Sequence, residues 1–160
     1  MQIYLLRHGI AEDSAPGGSD ADRELTSEGK EKLRRVLKRA RAADVSPSLI
    51  LSSPYKRAVE TAELAAGMLD YKGKVPHTRA LLPSASPHDV WDEIRERKEE
   101  TAILLASHEP LMSSLAAFLL RSPALSVDMK KGALMRIDCA AVTAEPRGVL
   151  KWMLTAALAD

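Results

Sequence analysis

Residues 3–9 read Ile-Tyr-Leu-Leu-Arg-His-Gly, an apolar run that ends in a cation, an imidazole and a glycine. A guanidinium is a planar fork of N–H donors that matches the oxygens of an anion. An imidazole changes charge near neutral pH, so His8 can act as a nucleophile or as a base. Gly9 lets the backbone turn and approach a ligand closely. Two later stretches repeat the theme. Ser52-Ser53-Pro54-Tyr55-Lys56-Arg57 adds hydroxyls and a second arginine, and Ser107-His108-Glu109-Pro110 adds a second histidine. Two arginines and two histidines brought to one place make a compact phosphate pocket, because arginine binds phosphate oxygens in bidentate fashion.

Such chemistry requires the three stretches to meet, and the elements around them predict that they do. Short apolar runs predict strands at Gln2–Leu6, Leu49–Ser52, Val75–Thr78, Ala102–Ala106, Ala133–Asp138 and Val149–Leu154. Helical patterns lie between them. The first runs from Ser27 to Ala42 behind the N-cap Thr26, with Leu33, Val36, Leu37 and Ala40 on one face. The second runs from Pro54 to Leu69, with Ser53 as N-cap and Pro54 at the first helical position. The third starts at Pro87 and carries Val90, Trp91 and Ile94; the fourth starts at Pro110 and carries Leu111, Leu115, Phe118 and Leu119.

This alternation predicts an α/β fold: one three-layer α/β/α domain over residues 1–160, built on a mostly parallel sheet of about six strands. The connection Cys139–Gly148 is too short for a crossover, so the last two strands form a hairpin and the sheet is mixed, with one strand reversed. Ligands in open α/β sheets bind beyond the carboxyl ends of the strands, where all three stretches fall. Helix N-termini at the same edge favour anions through their free N–H groups.

Composition narrows the classes. A formal net charge of +1 gives no global attraction for nucleic acid or an anionic membrane. Aromatic residues make up only 4 % of the chain, so the core must come from Leu, Ala, Val and Ile. Cys139 stands alone, which excludes an internal disulfide and an all-cysteine metal site and fits a reducing compartment. No stretch approaches the ~20 apolar residues of a membrane span, and Arg7 interrupts the N-terminal apolar run before it resembles a signal peptide. The expectation is a cytoplasmic protein.

Arg7-His8-Gly9, Ser52-Ser53-Pro54 with Arg57, Ala58, Thr61 and Ala62, and Ser107-His108-Glu109-Pro110 together resemble the histidine phosphatase superfamily, whose fold is the phosphoglycerate mutase-like one. The short length and Arg-Glu-Leu-Thr-Ser-Glu-Gly at 23–29 are most similar to the small bacterial phosphohistidine phosphatases of the SixA type. The resemblance implies that His8 is the nucleophile and is transiently phosphorylated. It implies that Arg7, Arg57 and a protonated His108 hold the phosphoryl oxygens, with Gly9 and Ser53 lining the same pocket. It implies no metal or cofactor, because the arginines supply the positive charge. A phosphohistidine-bearing protein domain is then the expected partner, in signal transduction.

One departure bears on the substrate. Family members that cleave phosphate esters carry an acid after the third strand to protonate the leaving alcohol. Here that region reads Leu82-Pro83-Ser84-Ala85-Ser86-Pro87, without a carboxylate. An alkoxide leaves poorly without a general acid, whereas an imidazole leaves more readily. The gap favours a P–N bond over a P–O bond, although Glu12, Asp13, His88 and Glu109 remain open as proton donors. The alternatives are a phosphatase for a small metabolite such as a sugar phosphate, and a phosphate-binding regulatory module without turnover.

Other features read as ordinary structure. The seven basic residues between Lys30 and Arg41 mostly avoid the apolar stripe and suit a solvated face rather than a docking surface. Lys130-Lys131-Gly132 reads as a turn, with Lys130 in reach of a substrate rim. Asp20-Ala21-Asp22 follows no strand and gives no support to an aspartyl-phosphate mechanism. Cys-x5-Arg and P-loop signatures are absent from the chain.

Overall fold

A computed structural model describes residues 1–159. Among these residues, five strands and four helices follow in the order β1 Gln2–Arg7, α1 Ser27–Ala42, β2 Leu49–Ser52, α2 Lys56–Met68, α3 Pro87–Arg95, β3 Ala102–Ser107, α4 Leu111–Leu119, β4 Leu134–Cys139 and β5 Gly148–Leu154. The strand order is β2-β3-β1-β4-β5. β2, β3 and β1 run parallel, while β4 is antiparallel to both β1 and β5. The sheet is therefore mixed with β4 reversed, as the short 139–148 connection predicts.

Successive side chains of a strand point to opposite faces, and both faces here are covered. Ile3 and Leu5 of β1 join Leu51, Ile103 and Leu105 under α3 and α4, where Val90, Trp91, Ile94 and Leu115 are buried. Tyr4 and Leu6 turn the other way and join Ile50, Leu104 and Ala106 under α1 and α2, where Leu33, Val36, Leu37 and Ala62 are buried. β3 sits between β2 and β1 and is buried along its whole length.

Val75–Thr78 is not a strand, so the sheet has five members rather than about six. The segment touches β2 at one point only: the Ser52 N–H donates to Pro76 O, and the Thr78 N–H donates to Ser52 O. Pro76 has no N–H to extend a ladder. Thr78 then caps a 3-10 turn at Arg79–Leu81 instead of continuing the strand. α2 starts two residues later than Ser53-Pro54 predicts, with Tyr55 as its N-cap residue. Pro110 is the N-cap residue of α4, and Leu111 is its first helical position.

Register decides what meets at the sheet edge. Arg7 pairs with Ser107 and Ser52 pairs with Ala106, so the three parallel strands end side by side. The pattern continues past the ends: His8 N–H donates to Ser107 O, and Ser53 N–H donates to Ala106 O. β4 runs the opposite way, so its N-terminal end lies at this edge and the Gly132 N–H reaches the Arg7 and His8 carbonyls. Gly132 has φ +77, a conformation that suits glycine.

Candidate active site

The first strand end delivers His8, which is 7 % exposed. Its Nδ1 lies 2.7 Å from the Gly9 carbonyl oxygen. A carbonyl only accepts, so Nδ1 carries the proton and Nε2 keeps its lone pair. Arg57 Nε donates to that Nε2 at 3.3 Å. The lone-pair nitrogen of a neutral imidazole thus faces a guanidinium. Burial is the main cause that lowers the His8 pKa to about 4, and Arg57, Arg7 and Lys131 push in the same direction.

The second strand end supplies Ser53 and Arg57. Ser53 does not cap α2 at its observed start; its buried Oγ accepts the Tyr55 N–H at 3.2 Å and lies 2.8 Å from His108 Nε2. Arg57 stands in the first turn of α2 and is 6 % exposed. Thr61, one turn on, donates its hydroxyl to Arg57 O at 2.7 Å, and its Oγ1 accepts the Gly9 N–H at 3.2 Å. Thr61 therefore ties the first and second strand ends together.

Gly9 has a different reason to be glycine from the one its position after the strand suggests. Its N–H is taken by Thr61, and a Cβ placed on it would come within 2.7 Å of Leu33 Cδ1. On the opposing helix, a Cβ on Gly29 would lie 2.3 Å from Ile10 O. The two glycines let α1 pack directly on the loop that follows His8.

The third strand end delivers His108, 1 % exposed, with its ring centroid 5.1 Å from that of His8 and 5.2 Å from that of Tyr55. Burial, with His8 and Arg57 beside it, lowers the His108 pKa to about 3. These surroundings favour the neutral ring, and the protonated His108 expected with phosphate needs the anion's charge beside it. The arginines that add to burial here, Arg57 and Arg7, are the cations that would hold a phosphate. A bound phosphoryl dianion reverses the sign of that local field and draws a proton onto the ring. Among the described residues, His108 Nδ1 and Arg7 Nε are buried without a hydrogen-bond partner. Arg7 is anchored by NH1, which donates to Met129 O at 2.7 Å. An anion that accepts from these atoms would relieve the cost of leaving buried polar groups unpaired.

The open proton-donor candidates have separate fates. The Glu109 carboxylate accepts the Ser113 N–H at 2.7 Å and so caps the first turn of α4. His88 packs on Phe118, with ring centroids 4.6 Å apart. Glu12 and Asp13 are exposed in the loop after β1. Lys130 pairs with Asp128 at 2.9 Å, and it is Lys131 whose charge acts on His8. The basic face of α1 is partly paired, through Lys30–Glu60, Lys32–Glu28 and Arg41–Asp70.

One residue at the site is missed by sequence reasoning. Asp20 lies in a 3-10 turn of the 12–22 loop, yet its main-chain oxygen accepts from Arg57 NH1 at 2.8 Å and its Oδ2 from Arg57 NH2 at 3.2 Å. The signal that could have found it is its place in the polar loop that follows Arg7-His8-Gly9 directly.

The neutral site sets a pH dependence. A neutral imidazole is the form that can attack an electrophile, and the His8 pKa of about 4 keeps it neutral well below the ordinary histidine value of 6.5. The kcat/KM for phosphoramidate, corrected for spontaneous hydrolysis, is expected to show no acid limb near pH 6.5 and to fall only toward pH 4. The melting temperature should nevertheless decline as pH drops from 6.5 toward 4. The unfolded chain binds protons there that the folded His8 and His108 refuse. An acid limb at pH 6.5 would show that the site does not hold His8 neutral.

A sequence profile of the histidine phosphatase superfamily (branch 1) matches residues 3–81. The phosphohistidine phosphatase SixA of Escherichia coli strain K12 is 30 % identical over 123 residues, which cover 73 % of each chain. A solved structure of the protein histidine phosphatase SixA complexed with tungstate superposes with a TM-score of 0.83 at 24 % identity, covering 98 % of both chains. The alpha-ribazole phosphatase of Shigella flexneri shares the fold at a TM-score of 0.73 and 20 % identity, covering 98 % of this chain and 97 % of its own. The buried His8–Arg57 pair and the matched sequence lead to one assignment: this chain belongs to the histidine phosphatase superfamily.

Proposed function

We propose that the protein is a metal-independent phosphatase that hydrolyses phosphohistidine on a protein domain through a phosphoenzyme on His8. The observation that carries the reading is the His8 ring itself. Nδ1 is fixed on the Gly9 carbonyl, and Nε2 is unprotonated and held against Arg57 Nε. In the first step Nε2 attacks phosphorus while the bond from phosphorus to the substrate nitrogen breaks, and the leaving imidazole takes a proton from solvent water. In the second step water attacks phosphorus, the bond to His8 Nε2 breaks, and inorganic phosphate leaves. Arg7, Arg57 and His108 bind the equatorial oxygens and offset the charge that builds there. Gly9 and Ser53 support the pocket, one beneath His8 and the other against His108.

The substrate class follows from the leaving group. Ser107 Oγ donates to Leu81 O at 2.6 Å and so fastens the turn Arg79–Leu81, which leads into the acid-free segment Leu82–Pro87, to the end of β3. No carboxylate of that segment is present to protonate an alkoxide. The second reading, a small-metabolite phosphomonoesterase, is favoured by the structural likeness to an alpha-ribazole phosphatase. A substrate panel separates the two. With chelator present, phosphoramidate and a phosphohistidine-bearing protein domain are expected to turn over much faster than simple alkyl phosphates. Comparable rates on both would remove the preference for P–N bonds, and loss of all activity with chelator would remove the metal-independent route.

A further inference from the structure

We propose that Asp20 is a positioning residue that fixes the Arg57 guanidinium for phosphoryl transfer. The inference rests on the reading of Arg57 as part of the reaction pocket.

Arg57 has two polar edges, and the fold divides them. The NH1 and NH2 side is held by Asp20, through both its main-chain oxygen and its carboxylate. Nε faces His8 Nε2. Asp20 thus engages NH1 and NH2, and Nε is left directed at His8 Nε2, where a phosphoryl group on His8 would sit. A guanidinium has several rotatable bonds behind it, so ordering it in advance removes entropy that would otherwise be lost in the transition state. The Tyr55 ring also packs on the group, with its centroid 5.1 Å from Arg57 Cζ.

Asp20 is itself anchored, which is what an exposed residue needs in order to position another. Its carboxylate is 57 % exposed, but Oδ1 accepts from Arg23 NH1 at 2.8 Å. Arg23 Nε in turn donates to Glu12 O at 2.6 Å, and the Glu12 N–H donates to Glu24 O at 2.8 Å. Ser19 Oγ accepts the Ala21 N–H and caps the turn that carries Asp20. The 12–22 loop is thus closed at its base and pinned at its tip, with Arg57 as the far anchor.

Position and charge act in opposite directions on catalysis and on anion binding, and this gives the test. Without the carboxylate, Arg57 keeps only the main-chain hold on NH1, so its orientation loosens and transition-state stabilisation falls. The pocket also loses a nearby negative charge, so an inorganic anion is repelled less. Asp20→Ala is expected to lower kcat for phosphoramidate by about tenfold while inorganic phosphate inhibits as tightly as in the parent, or more tightly. Asp20→Asn keeps an oxygen acceptor and should recover part of the loss. In an Arg57→Ala background, Asp20→Ala should change kcat by less than about twofold, because the coupling acts through Arg57. Asp22→Ala, on the same loop, serves as the control and leaves kcat unchanged.

An unchanged or raised kcat in Asp20→Ala would overturn the proposal; a raised kcat would mark Asp20 as a latch that obstructs Arg57. A parallel loss of phosphate binding and kcat, or additive losses in the double variant, would reduce Asp20 to general loop structure. The parent and His8→Ala proteins are assayed alongside. No turnover in the parent, or turnover that survives His8→Ala, sinks the catalytic reading itself and is distinct from failure of the Asp20 proposal.

Discussion

Replacing His8 with Ala is expected to cut turnover of phosphoramidate by about 10⁴-fold or more, the scale on which loss of a covalent nucleophile is felt. The fold should survive. The ring makes one hydrogen bond to its neighbour Gly9 and one to Arg57, and it is buried at the pocket rather than in either apolar cluster. Rapid mixing of the parent enzyme with substrate should trap phosphate on His8 in an acid-labile, base-stable form, since the bond formed is a phosphoramidate. His8→Ala should trap none. A variant that retains even a tenth of parental turnover would show that another group attacks phosphorus. Retained phosphate binding in the same variant is compatible with the mechanism, because Arg7, Arg57 and His108 remain.

Arg57→Ala is expected to lower kcat by about 100-fold or more, comparable to removal of a preorganised donor from an oxyanion site. Three contacts vanish together: Nε to His8 Nε2, NH1 to Asp20 O and NH2 to Asp20 Oδ2. Charge grows on the phosphoryl oxygens in the transition state, so the loss should fall more on kcat than on KM. Arg57→Lys restores charge without the fork and should recover little, because an ammonium cannot hold Asp20 and face His8 at the same time. A decrease smaller than threefold in Arg57→Ala would remove this side chain from the pocket. The His8 pKa offers a second readout. Arg57 is one of the causes that lower it, so the acid limb of kcat/KM should move toward higher pH in the variant.

Much of the frame is legible in local pattern. The apolar stripe Leu33, Val36, Leu37 and Ala40 and the cap Thr26 define α1 over its observed span, Ser27–Ala42. Pro87 behind Ser86 marks the start of α3, where a capping box with Asp89 forms. Arg7, His8, Arg57 and His108 are visible because each falls at a strand-to-helix junction. Failures occur where a partner remote in sequence overrides local preference. Ser53-Pro54 reads as a helix start, but the Ser53 hydroxyl is engaged by His108, 55 residues away, and α2 begins at Lys56. Val75–Thr78 has the composition of a strand, yet Pro76 limits it to one bridge beside β2.

Local pattern along the chain encodes the α/β alternation, the reversal of one strand and the identity of the four polar residues near the strand ends. Those follow from periodicity, connection length and turn residues, which act over a few positions. How these residues act on one another depends on the folded chain. The register Arg7↔Ser107 and Ser52↔Ala106 sets the strand ends level and brings His8 to Arg57. Burial among cations then makes both histidines neutral, a property that neither residue type nor spacing encodes. The 12–22 loop places Asp20 on Arg57, 37 residues away. Electrostatic environment and long-range pairing depend on distances in space, and those exist only once the chain has folded.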